Sequence, residues 1–120
     1  METQRNEMHP TQARYAVAKA AHDAAWEACR AELEELEETD DIDADLEAEA
    51  QIEERHGVDR YGIELFTATE ALLDWYCERM RSSIDPANTK HVEIVEALPE
   101  MRCNAKTRDR MIELAMRLQA

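Results

Sequence analysis

Two glycines and three prolines in 120 residues leave this chain little with which to build tight turns. Sheet proteins spend Gly, Pro and Asn on such turns, so the scarcity argues against a β fold. The commonest residues are Ala and Glu, both strong helix formers. Apolar residues make up 44% and charged residues 35%, too apolar for simple disorder and unusually charged for a globular domain. The expected fold is all-α: a four- to five-helix bundle with a long N-terminal helical hairpin. A chain of this length is one domain and buries roughly two-thirds of its unfolded surface without disulfide or metal. The expected layout is a flexible N-terminus over 1–10 and a single helical domain over 11–120.

The helices can be placed from their breakers. A first helix starts near Pro10 and Thr11, with Thr11 as cap, and meets no breaker before Glu38. His22, Trp26, Cys29, Leu33 and Leu36 fall alternately four and three apart, a 3.5-residue seam suited to a hairpin or a dimer. Ala16, Ala18, Ala20, Ala21, Ala24 and Ala25 permit close approach of a neighbour. The run Thr39-Asp40-Asp41-Ile42-Asp43 is the expected break, because Asp caps helices well and sits poorly inside them. The alternative is one continuous helix from Thr11 to His56. A second helix over about 43–56 ends at Gly57 as a left-handed cap. Asp59 is read as capping a third helix to about Ser82, with Leu65, Phe66, Thr69, Leu72, Leu73, Tyr76 and Met80 on its apolar face. Asp85-Pro86 opens a short helix that Pro99 ends. Asn104 or Thr107 starts the last, with Met111, Leu114, Ala115 and Leu118 facing inward.

Charge is distributed unevenly. The formal net charge is −14, and residues 27–54 alone hold 14 acids against the single base Arg30, a net of −13. The last twenty residues run the other way, at +3, through Arg102, Lys106, Arg108, Arg110 and Arg117. Such a field repels nucleic acid and anionic membrane and attracts basic protein surfaces. The N-terminal METQRNEMHP has no apolar core of a signal peptide, and no run approaches the ~20 apolar residues of a membrane span. The expected compartment is the cytoplasm, of a cell or of an infected host cell.

No constellation in the sequence completes a catalytic or metal site. Cys29, Cys77 and Cys103 are odd in number and far apart, as expected of buried reduced thiols. Asp41, Asp43 and Asp45 have the spacing that opens a calcium loop, but Leu46 and Ile52 occupy the positions that require Gly and a bidentate Glu. Glu34, Glu35 and Glu38 match the EExxE spacing with which all-helical nucleotide pyrophosphohydrolases hold magnesium. The second acidic pair those enzymes need is lacking, since Glu70 and Asp74 are four apart rather than three. Glu53 and His56 form half of a di-iron ExxH pattern, with no second copy. His22 is read as a core histidine bonded to a neighbour, and Trp26, Phe66, Trp75 and Tyr76 as core. The basic 106–110 segment is read as a helix face answering the acidic arm.

The reading is therefore a non-catalytic interaction module, without cofactor or metal, that binds neither nucleic acid directly nor membrane. Its expected partner-binding residues are Glu34, Glu35, Glu37, Glu38, Asp40, Asp41, Asp43, Asp45, Glu47 and Glu49. They lack the Lys or Arg partners four residues on that exposed helices ordinarily carry. Carboxylates spaced along rigid helices can imitate a phosphate backbone. In size and charge the chain resembles the nucleic-acid-mimicking inhibitors that phages and plasmids use against restriction or CRISPR machinery. This resemblance is one of composition, and it implies a basic, nucleic-acid-binding protein as partner. Two alternatives are a small metal-dependent all-α nucleotide hydrolase and a homodimeric structural protein paired through the Trp26–Leu36 seam.

Overall fold

The structure, a computed structural model, describes residues 8–119. Among these residues it is all-α, with five helices and no strand. They are α1 (Pro10–Glu34), α2 (Ile42–His56), α3 (Val58–Ser83), α4 (Thr89–Met101) and α5 (Ala105–Arg117). The break between α1 and α2 falls where the aspartates predict it, and the continuous Thr11–His56 helix is not formed. Of the expected flexible segment over 1–10, residues 1–7 lie outside the described residues.

The described residues divide into two compact units, 8–15 with 68–119 and 16–67. In the first, α3 supplies Leu72, Leu73, Tyr76 and Cys77 to a buried core completed by Val95 and Leu98 of α4 and by Met111 and Ala115 of α5. These residues follow helical spacing, so each helix buries one stripe. The start of α1 is fastened to the end of α5 by Gln12, which is buried. Its Nε2 donates to the carbonyls of Ala115 (2.8 Å) and Leu118 (2.9 Å), and its Oε1 accepts the His9 N–H (2.8 Å). In the second unit α1 packs against α2 and α3 around Cys29, Ile52 and Val58, with Ala25, Trp26 and Leu33 at the edge. A Cβ added at Gly62 of α3 would lie 4.0 Å from the His22 ring, which shows how closely the two helices pass.

Several helix ends differ from expectation. The cap of α1 is His9: its Nδ1 accepts the Thr11 N–H (3.2 Å), while Gln12 reaches back to its N–H, a reciprocal capping box with Pro10 at the first helical position. The helix ends at Glu34 rather than Glu38. Carboxylates are repelled by the carbonyl ends of a helix, and the chain closes with tightened bonds from Glu35 N–H to Glu32 and Leu36 N–H to Leu33. Gly57 is the left-handed cap of α2 at φ 68°. It leads directly into α3, so Asp59 sits inside the first turn and does not cap it. Asp85 caps only a turn, accepting the Ala87 N–H (2.9 Å), and the N-cap of α4 is Asn88. Pro99 lies inside α4, which continues to Met101. Proline so near the end forfeits a single bond, to Val95, and the ladder resumes with Arg102 N–H to Leu98. Asn104 caps α5 as expected. Phe66 is 62% exposed and not core, and Cys103 is exposed while Cys29 and Cys77 are buried.

Candidate protein-interaction surface

The acidic segment is held on regular structure by a few of its own polar groups. Asp41 caps α2, its Oδ1 accepting the Ala44 N–H at 3.2 Å. Asp45 turns back over the loop and takes the Thr39 hydroxyl (2.8 Å) and the Thr39 N–H (3.1 Å). Thr39 Oγ1 in turn accepts the Asp41 N–H at 3.1 Å. Asp43 and Asp45 lie in the first turn of α2 and Arg55 and His56 in its last, which suits the helix dipole at both ends. Asp41 and Asp45 therefore shape the surface. The would-be calcium loop is instead the capped beginning of a helix.

The other eight expected partner-binding residues are Glu34, Glu35, Glu37, Glu38, Asp40, Asp43, Glu47 and Glu49, and all are exposed. None has a cationic partner among the described residues. Glu34 closes α1 while Glu35 and Glu38 lie beyond it, so the EExxE motif does not share a helix face. Among the described residues no three His, Cys, Asp or Glu side chains converge as a metal would require.

The anchoring is concentrated at the base. Glu32 of α1 is bound by His56 Nε2 (2.8 Å) and Arg55 Nη1 (2.7 Å) of α2. These bonds, His56's first, hold its carboxyl below the usual carboxylate range. Of the seam residues, Cys29 is fully buried, Trp26 and Leu33 are half-buried against it, and Leu36 lies outside the helix and is exposed. Burial, with Glu53 and Glu32 nearby, pushes the Cys29 thiol up, so it is a poor nucleophile. His22 departs from the expectation of a bonded core histidine. It is half-buried, and its Nδ1 lies 3.5 Å from Asp23 Oδ1 without hydrogen-bond alignment. With Trp26, Glu27 and Arg30 it lines an open hollow of about 540 Å³.

Three of the basic C-terminal residues are engaged within their own unit. Arg102 donates to Asp74 Oδ1 (2.6 Å), Glu70 Oε1 (2.8 Å) and the Glu70 carbonyl (3.2 Å). Arg108 Nη2 meets Glu70 Oε2 at 2.6 Å, and Arg110 pairs with Glu113 at 3.0 Å. Of the basic 106–110 segment, Arg108 thus meets Glu70 of α3 and Arg110 meets Glu113 of its own helix. Sequence reasoning missed the cluster of Glu70 and Asp74 with Arg102 and Arg108, and the Glu32–Arg55–His56 cluster, because both join residues far apart in the chain. The His9–Gln12 box did have a local signal, a Gln three residues after the cap with proline between them.

No protein-family model, curated protein or solved structure matches this chain. Among the described residues no helix is long and apolar enough to cross a membrane.

Proposed function

We propose that residues 34–49 form an acidic docking surface for a basic protein, of the kind that inhibits a nucleic-acid-binding enzyme by occupying its phosphate-binding groove. One observation carries this reading. By sequence, residues 16–67 hold 17 acids against 4 bases, a net of −13, while the remainder holds 11 against 10, a net of −1. Arg102, Arg108 and Arg110 of the basic C-terminal stretch are bound to Glu70, Asp74 and Glu113. Unpaired carboxylates on a capped helix and a self-bonded loop are preorganised for a cationic surface, and their field accelerates encounter. Among the described residues no set of acids converges as the hydrolase alternative requires, and Trp26, Cys29 and Leu33 of the homodimer seam pack with Ile52 and Val58 of the same chain.

The test is binding to a panel comprising a restriction endonuclease, a CRISPR effector nuclease and a polymerase, at low and high salt. The expected result is binding to at least one member that duplex DNA competes and that weakens as salt rises. A variant carrying Glu34→Gln, Glu35→Gln, Asp43→Asn and Glu47→Gln spares the structural Asp41 and Asp45. Unchanged affinity of that variant would sink the proposal.

A further inference from the structure

The acidic arm carries an apolar ridge that charge mimicry alone does not need. Ile42 is 72% exposed and Leu46 58% exposed, one turn apart on the same face of α2. Asp43 lies three residues before Leu46 and Glu49 three after it, so the two carboxylates flank Leu46 on opposite sides. Ala50, one further turn along, extends the small apolar strip. The contacts that tie α2 to α1 come from Ile52, Arg55 and His56 in its other half. This ridge is therefore presented outward by the capped end of the helix, with carboxylates along both margins.

We infer that the Ile42–Leu46 ridge docks against the apolar stripe of a basic amphipathic helix, whose flanking Lys or Arg meet the carboxylates on both margins. This rests on the docking function proposed above and sharpens its partner. Charge selects the occupant. A second copy of this chain would bring another −13 against the same face, whereas a basic rim meets Asp43, Glu47 and Glu49 directly. An apolar contact at the centre of a charged ring supplies the part of the affinity that salt does not screen. A bare phosphate mimic has no such part.

The full chain can be tested with three peptides of equal charge, the first two also equal in length. One is an amphipathic helix with Leu at i, i+3, i+4 and i+7 among lysines, one its scrambled isomer, and one an oligolysine. Binding is read by calorimetry at 50 and 300 mM NaCl. The amphipathic peptide is expected to bind roughly tenfold tighter than its isomer at high salt, the scale of burying one or two aliphatic side chains. Ile42→Ser with Leu46→Ser removes that preference and leaves oligolysine binding at low salt unchanged. Both positions are exposed, so the variant's helical circular dichroism should match the parent's, and Glu49→Gln supplies a charge-only control that weakens all three peptides alike. Equal binding of the amphipathic peptide and its isomer overturns the inference while leaving the docking function standing. So does a preference that survives the double substitution, or a dimer in sedimentation that the double substitution dissociates. Failure of every peptide at low salt removes both.

Discussion

The two units of this molecule are built from similar helices and hold together differently. The unit containing α4 and α5 is close to neutral, buries eight core residues in one cluster, and closes its acids with arginines. The unit over 16–67 carries nearly all the net charge on a cluster of three buried residues, Cys29, Ile52 and Val58. Its remaining order comes from local devices: the Asp41 cap, the Thr39–Asp45 bonds, the left-handed Gly57 and the Glu32 clamp. A thin core under a large uncompensated charge is a poor arrangement for stability, because self-repulsion opposes compaction. The same arrangement suits a surface that a partner's charge will complete.

The sharpest way to break this comparison is to empty each core. Leu73→Ala removes a fully buried side chain and should cost about 3–5 kcal/mol in urea unfolding. Ile52→Ala acts on the smaller cluster, whose neighbours Trp26 and Leu33 are only half-buried and can close the gap, and should cost about 2–3 kcal/mol. An equal or larger loss at Ile52 would show that the acidic unit is the better packed of the two. Next in size is Gln12→Leu, which leaves the Leu118 carbonyl and the His9 N–H without these partners, takes one of two bonds from the Ala115 carbonyl, and should cost about 2–3 kcal/mol.

The two units should also answer with opposite signs to the loss of a negative charge. Glu70→Gln weakens the hold on Arg102, which is only 14% exposed, and should destabilise by about 1 kcal/mol. Glu34→Gln, Glu37→Gln and Glu47→Gln each remove an unpaired charge from a like-charged field and should stabilise by roughly 0.2–0.5 kcal/mol. Thermal melts of the four variants at low ionic strength decide it, and 0.5 M NaCl should shrink the stabilising effects. Destabilisation by all four would mean that the arm's carboxylates have partners in solution.

Helix identity was legible because it rests on short-range terms. Spacing alone placed Leu72, Leu73, Tyr76, Met111 and Ala115 in the core. The aspartate run over 40–43 and Gly57 marked the two ends of α2 through capping chemistry. The errors share a cause as well. Asp59, Asp85 and Thr11 are good caps by type, yet Gly57, Asn88 and His9 hold those positions, since several cap-capable residues stand close together and packing chooses among them. Phe66 fitted the apolar stripe of α3 but lies at its margin, and a stripe read from spacing has no sharp edge. Of the candidate surface, the exposure of the acids was legible from their density. The division into structural Asp41 and Asp45 and free neighbours was not, because it depends on the path of a loop. Nor was the fate of the basic tail, since Arg102 reaches Glu70 across 32 residues of chain.

The smallest effect probes the clamp beneath the arm. Glu32 is the one carboxylate of residues 27–54 bound by basic side chains among the described residues, by His56 and Arg55. Its folded value is depressed below the ordinary 4.5. A carboxyl depressed on folding contributes stability that is present above its unfolded value and is lost as pH falls through its folded value. The unfolding midpoint of the wild type minus that of Glu32→Gln should therefore be positive and steady at pH 6 and shrink toward zero below about pH 4.5. The shift should be smaller than any described above, since the group is close to solvent and screened. If Glu32→Gln and the wild type keep a constant separation down to pH 3, the clamp is not formed in solution, and the acidic unit rests on its small core and its local caps without it.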